Sequence, residues 1–454
     1  MDNKQRLTEG VIWKKLLGFF FPILFGMLFQ QLYNTVDAII VGQFVGTGAL
    51  AAVGGSSAQI LNLVLGFFNG LASGATVIIS QFCGAKDDEE VSRAVHTAIA
   101  FCLAAGTMLT FFFNYFAPQL LQLMKDPEDI IGLSTEYLRI YAAGTIPLML
   151  FNIGSGILRA VGDSKRPLYY LAACCTLNIA LDLLFVCVFG MGVGGAAWAT
   201  VISLAISSVL VMRCLMRSNA AYKLVPSRIK FYRVSLRKIM AIGVPAGVQA
   251  SMYAISNLVI QTVVNGFGTV TVAAWTATGR FDGIFWVTST AFGTAITAFV
   301  GQCYGAGLFD RMEKSIKTCF RIAFFTSIAF SVLILSVSSY GLRIITKDPE
   351  VIEAGVVIFR YFAPFYCIWI IVEIYSSSLR GMGDSFVPMI ISVLGVCVFR
   401  ILWMIFILPL KHTIGVMSLS YVSSWTITAI AILIYYGKKK KTLLLQAGAE
   451  KLPA

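Results

Sequence analysis

LRAVGDSKRP at residues 158–167 returns as LRGMGDSFVP at residues 379–388, an offset of 221. Gln81-x-x-Gly84-Ala85 pairs with Gln302-x-x-Gly305-Ala306 at the same offset, and Lys-Asp-Pro-Glu at 125–128 recurs at 347–350, an offset of 222. Pro22 and Pro245 stand near the start of the two copies. Landmarks held at nearly one spacing over most of a 454-residue chain mark an internal duplication. The repeated motifs have a local reading. Asp126 and Asp348 are placed to cap the following helix, with Pro127 and Pro349 at its first position. Gly162-Asp163-Ser164 and Gly383-Asp384-Ser385 read as turns, with Pro167 and Pro388 opening the next helix.

The segments between these landmarks are apolar. Hydrophobic residues make up 58% of the chain, charged residues 13%, and mean hydropathy is +0.81. A soluble domain carries about a quarter charged residues, so most of this chain faces lipid or other apolar helices. About 20 apolar residues span a bilayer. Runs of that kind fall at 16–42, 50–82, 94–117, 133–158, 167–190 and 192–216, then at 238–266, 271–302, 316–341, 353–379, 387–409 and 413–437. The expectation is an all-α integral membrane protein of twelve transmembrane helices, in two parallel six-helix repeats forming two lobes. An even number of helices returns the chain to its starting side, so the halves run parallel. The domains read as 1–212, a cytoplasmic linker at 213–237, a second lobe at 238–437 and a basic cytoplasmic tail at 438–454.

Lys and Arg orient the chain. With the N-terminus in the cytoplasm, 26 of the 35 fall in cytoplasmic tails and loops, including Lys4, Arg6, Lys438 to Lys441 and Lys451. Four fall outside: Lys125, Arg343, Lys347 and Lys411. That bias places both termini in the cytoplasm. It also accounts for the net charge of +13 without nucleic acid, because basic stretches meet an anionic leaflet. No cleavable leader is read at the start: the first apolar run is long, is interrupted by Pro22 and Asp37, and lacks a small-residue cleavage site. The 10 Cys form no metal motif and read as small apolar packing residues. His96 and His412 are too far apart in sequence to suggest a local metal site, so no metal centre or cofactor is expected.

Chemistry is sought where ionisable groups enter the membrane, at a cost of about 2.5 to 3.5 kcal/mol each. Asp37, Asp182, Asp282 and Glu373 lie within spans, with Arg280, Arg321 and Arg400 as basic candidates. Spacing of three and four puts Gln30, Tyr33, Asn34 and Asp37 on one stripe of span 1, and Asn178 and Asp182 on one face of span 5. The second copy holds no acid at the matching places, so the expected ion site is in the first half. A desolvated carboxyl favours its neutral form, which suits loading a proton, or Na⁺ with Asn and Thr oxygens. A structural polar contact between helices is the bland alternative.

QQLYNTVDAIIVG at 30–42, the QFCGA and QCYGA segments, the duplicated LR-x-x-GDS-x-x-P and NIALD at 178–182 resemble the multidrug and toxic compound extrusion (MATE) transporters, close to their DinF/MepA-like bacterial branch. The resemblance runs from Pro22 to about Tyr436. It implies a V-shaped pair of six-helix bundles in the bacterial cell membrane. It implies secondary antiport of drugs and organic cations against H⁺ or Na⁺, by a transporter and not an enzyme, with the lobes alternating their access. Carried over position by position, the cation site falls on Asp37, Asn178, Asp182 and Thr200, with Asn152 beside them; Na⁺, if used, would sit at Asp37 and Asp182. Other members use acids in spans 7 and 10. Here span 7 offers Gln249, Tyr253 and Asn257 but no acid, although Glu373 is present in span 10. Substrate contacts are expected from Gln30, Tyr33, Asn34, Met149, Phe151, Tyr253, Trp275 and Glu373. The expected partners are drugs and membrane lipid, and the expected state is a monomer. A lipid-linked oligosaccharide flippase, for which Arg280 and Arg400 speak, and a passive channel remain as alternatives. An intramembrane enzyme lacks a Ser/His or paired-His arrangement, and no P-loop for ATP is present.

Overall fold

The computed structural model describes residues 7–124 and 126–449. Lys4, Arg6, Lys125 and Lys451 of the charge reading lie outside the described residues. The first copy comprises α1 (Ile12–Phe44), α2 (Thr47–Gly54), α3 (Ser56–Ala85), α4 (Asp88–Leu123), α5 (Ile131–Ala143), α6 (Thr145–Ala160), α7 (Lys165–Asp182) with a π-helical turn at Leu183–Val188, and α8 (Gly192–Arg217). The second comprises α9 (Arg233–Asn265), α10 (Thr269–Gly305), α11 (Phe309–Ile345), α12 (Pro349–Phe362), α13 (Tyr366–Gly381), α14 (Phe386–Ser392), a π-helical turn at Val393–Val398, α15 (Phe399–Phe406) and α16 (Ile414–Ala449). Among the described residues, eleven helices are long and apolar enough to cross a bilayer, and the α5–α6 pair, bent by 48°, brings the number to twelve. No strand occurs among the described residues. The expected all-α, twelve-span class is what the chain adopts.

The two Lys-Asp-Pro-Glu segments differ. Asp348 caps α12 by accepting from the Glu350 amide at 3.0 Å, with Pro349 in the first turn, as its spacing implies. Asp126 does not cap. Its carboxylate accepts from the Ser56 hydroxyl at 2.7 Å, and α5 starts only at Ile131 with no side-chain cap. A turn through Pro127, closed by the Ile130 amide on the Pro127 carbonyl at 3.1 Å, delays the helix past the reach of Asp126. The two GDS turns form with their glycines at φ 93° and 89°, a left-handed conformation in which a side chain is strained. Asp163 then caps α7, accepting from the Lys165 and Arg166 amides at 3.1 Å each.

Packing divides the chain into two compact units: Leu17–Gly247 in one, and Thr8–Leu16 with Val248 onward in the other. The division falls inside α9 and not within the 213–237 segment. The reason lies in four glycines. Gly243 and Gly247 bring the α9 backbone against Gly70 and Gly74 of α3 so closely that a Cβ on Gly70 would lie 2.3 Å from the Gly247 nitrogen. The 213–237 segment is itself held to α4, where His96 Nε2 accepts from the Val225 amide at 3.0 Å and Thr97 Oγ1 from the Tyr232 amide at 3.2 Å. His96 is thus a clamp for the connection. The 438–454 tail begins as a continuation of α16, where Lys439 pairs with Asp384 at 3.0 Å and Lys440 with Glu313 at 2.6 Å. All ten cysteines are free.

Candidate functional site

In the first unit, α1 and α7 each turn an acid inward. Asp37 is 8% exposed and Asp182 is fully buried. The two carboxyls lie within Coulomb range of one another. Asp37 Oδ1 and both oxygens of Asp182 have no hydrogen-bond partner, and the same is true of Asn178 Oδ1. Asn178 Nδ2 donates to Thr200 Oγ1 at 3.4 Å, joining α7 to α8. Thr200 in turn donates to the Ala196 carbonyl at 3.1 Å, so one lone pair of its oxygen takes the Asn178 amide and the other remains open. Four of the expected residues are therefore brought together, and what they offer is oxygen acceptors. An isolated buried carboxylate is expensive, so such a group gains most from a proton or a hard cation.

Two tyrosines that the sequence reading passed over complete the group. Tyr137 of α5 lies within electrostatic reach of Asp37, Asp182, Tyr33 and Tyr141, and Tyr141 within reach of Asp37. Their rings are 5.8 Å apart. Their spacing of four residues in an apolar span was the available signal. The stripe on α1 is divided by its surroundings. Tyr33 and Asp37 are buried, whereas Gln30 and Asn34 are exposed at the rim. Asn152 donates to Asn69 Oδ1 at 3.0 Å, in a crevice between α3 and α6 that Met149 also lines. Phe151 is buried in the core of the unit.

The second unit is built differently. Asp282 of α10 accepts from the Tyr366 hydroxyl at 2.5 Å and from the Trp286 indole at 2.6 Å, so both its oxygens are satisfied. Around it runs a connected set of rings. Phe285 stacks on Tyr366 at 4.0 Å, Trp286 meets Trp369 at 4.8 Å, and Trp369 meets Trp425 at 5.9 Å. Two expected contacts join this set, Tyr253 through Trp369 at 6.3 Å and Trp275 through Tyr421 at 5.8 Å. Glu373 accepts from Ser377 at 3.1 Å and fills the notch that Gly293 leaves on α10, where a Cβ would be 2.0 Å from its Oε1.

The duplicated helices and the acid pocket admit comparison with known proteins. The MatE family model matches residues 22–184 and again residues 245–406, one copy on each half. The chain belongs to the MatE family. The two MatE matches begin at Pro22 and Pro245, the prolines that open the repeat, and the first contains Asp37, Asn178 and Asp182. Among relatives, the chain is 29% identical to the probable multidrug resistance protein YpnP of Bacillus subtilis, over 87% of this chain and 88% of that protein. It is 27% identical to the probable multidrug resistance protein YoeA of the same organism, over 86% of each chain. Among solved structures it is similar in fold to a MATE protein crystallised in the bent conformation, with a TM-score of 0.92, 22% identity, and coverage of 99% of this chain and 100% of that one. The two Bacillus relatives match 87% and 86% of the chain, and the fold likeness covers both units.

Proposed function

We propose that this MatE-family protein exports amphipathic organic cations by secondary antiport, driven by H⁺ or Na⁺ entering at Asp37 and Asp182. The observation that carries this reading is the pair of buried, mutually close carboxyls with partnerless oxygens in the first unit. The multidrug-resistance names of the relatives support the choice of cargo. In this reading the protein lies in the cell membrane with both termini in the cytoplasm, as the Lys and Arg bias favours, and acts as a monomer. Cation arrival neutralises the acid pair and removes the cost of the buried charge. Pro22 supplies the place where α1 can yield, because its ring nitrogen cannot donate to the Gly18 carbonyl one turn back. Bending there reshapes the pocket around Asp37 and releases cargo, and access then alternates.

The test is ethidium export from an efflux-deficient host, with the proton and sodium gradients collapsed separately. Export that stops with one gradient names the coupling ion. Export indifferent to both gradients would identify a passive channel and sink the antiport reading. A second expectation concerns the missed tyrosines. Tyr137→Phe keeps the ring and removes a hydroxyl within electrostatic reach of both acids, so folding should be retained while gradient-driven export falls several-fold. Unchanged initial rates of ethidium export at matched expression would confine Tyr137 to packing.

A further inference from the structure

Between the end of α11 and the outer side of α12 lies a groove of about 720 Å³, the size of a small-ligand pocket. Arg343 of α11, Lys347 of the connecting turn and Arg360 of α12 line it, together with one acid, Glu353. All four are exposed, and no ion pair joins any of them among the described residues. Ile352, Val356 and Val357 supply the apolar part of the lining. α11 approaches the groove with Tyr340, Ile344 and Ile345 exposed, a surface suited to lipid and not to water. Arg360 lies about 16 Å along the span that begins at Pro349. An exposed charge at that depth is costly unless an anion meets it.

The first copy shows which part of this groove is architecture. A smaller groove of about 430 Å³ lies between α4 and α5, and seven of the eight residues around it fall, at the offset of 221, on residues around the larger one. The fold therefore builds the groove twice. Its charge differs between the copies. Arg139 matches Arg360, but Gln122 stands where the second copy has Arg343, and Glu136 stands where it has Val357. Arg139 in the first groove thus has an acid one turn away, whereas the second groove carries three cations against Glu353 alone. The surplus also runs against the orientation of the chain. Only four Lys and Arg fall outside in the charge reading, and Arg343 and Lys347 are two of them.

We propose that the groove between α11 and α12 holds one anionic phospholipid, with its phosphate on Arg343, Lys347 and Arg360 and an acyl chain against Ile352, Val356 and Val357. The guanidinium fork matches a phosphate, and basic pockets between membrane helices take anionic headgroups. The apolar lining selects a lipid over free phosphate, which has no chain to lay there. The lipid is a bound partner and not cargo. Its assignment to the outer leaflet rests on the cytoplasmic termini proposed above, but binding itself depends neither on orientation nor on an ion gradient. The two readings therefore fail separately: a chain that exports nothing would still hold the lipid, and loss of the lipid would leave Asp37 and Asp182 as they are.

The experiment is native mass spectrometry of the delipidated full chain in detergent, titrated with dioleoylphosphatidylglycerol or dioleoylphosphatidylcholine. The parent should take up one phosphatidylglycerol at least about tenfold more tightly than phosphatidylcholine. Arg343→Gln combined with Arg360→Gln should weaken the first phosphatidylglycerol by about fivefold for each cation removed and leave phosphatidylcholine unchanged. Lys438→Gln combined with Lys441→Gln removes the same charge from α16 and should leave that first lipid as tight as in the parent. Equal affinity for the two lipids in the parent would overturn the proposal, as would equal losses in the two double variants. Excess inorganic phosphate should not displace the lipid; displacement would identify a free-phosphate site instead. If the groove variant does not elute as a folded monodisperse species, Glu353→Gln carries the test. It removes the one acid of the lining and should hold phosphatidylglycerol several-fold more tightly, and unchanged or weaker binding there would refute the site.

Discussion

Asp37→Asn should abolish gradient-driven ethidium export while leaving the protein at least as stable as the parent. The two halves of that expectation have one cause. Asn keeps the volume and shape of the side chain, so the packing of α1 against its neighbours is undisturbed. It cannot take up or lose a proton and brings no charge to attract Na⁺, so the coupling step has no substrate. The native carboxyl carries an oxygen with no partner at 8% exposure, an arrangement that costs free energy whenever it is ionised. Removing the charge removes that cost. Function kept at the expense of stability is the signature of a site residue, whereas a structural contact loses stability when it is broken. The measurements are export at matched expression and the temperature at which the purified variant loses its monodisperse peak. Export equal to the parent would rule out coupling through Asp37. Export lost together with a large fall in stability would reassign Asp37 to the architecture. Asp182→Asn should behave in the same way, because both of its oxygens are partnerless and it lies within range of Asp37.

Much of this was legible in the sequence, for reasons that can be named. The twelve spans follow from hydropathy because a bilayer leaves helices almost no alternative. The duplication follows from motifs that serve turns and caps, whose residue types are dictated by backbone geometry. Asp37, Asn178, Asp182 and Thr200 meet because helical spacing fixes the face each presents, and the family resemblance supplied the fourth. What stayed hidden depends on distances between helices. Asp126 looks identical to Asp348 in sequence, yet a turn after Pro127 carries the helix start away from it. No sequence signal pairs Asn152 with Asn69, 83 residues away. Tyr137 and Tyr141 were readable as a pair, but only the fold puts them beside Asp37. The π-helical turns next to Asp182 and Arg400 left no mark in composition, since Leu183–Val188 and Val393–Val398 are ordinary apolar stretches.

The place where α9 begins to pack was equally invisible, and it supports a second large effect. Gly70→Ala combined with Gly74→Ala should destabilise the protein sharply, although each change adds only a methyl group. A Cβ on Gly70 would lie 2.3 Å from the Gly247 nitrogen and 2.4 Å from its Cα, and one on Gly74 would lie 2.5 Å from the Ile239 carbonyl oxygen. These neighbours are backbone, so they cannot swing aside as a side-chain tip would; the helices must separate. Gly243 and Gly247 repeat the same spacing of four on the other helix, and a Cβ on Gly247 would lie 2.6 Å from the Phe67 carbonyl oxygen. Small residues four apart on both partners are how membrane helices reach backbone contact, where the attraction is close packing and not hydrophobic expulsion. Overpacking costs about 1–3 kcal/mol per site, and two sites on one seam should act together because one separation relieves both. Gly132→Ala is the matched control. It lies in α5, where a Cβ meets nothing within 4 Å, so the intrinsic helix preference for Ala should leave stability equal or raised by up to about 1 kcal/mol. Heating the detergent-solubilised variants and following the monodisperse peak should thus show opposite signs for the same chemical change. If the double variant melts with the parent, close approach of α3 and α9 is not what draws the start of α9 into the first unit.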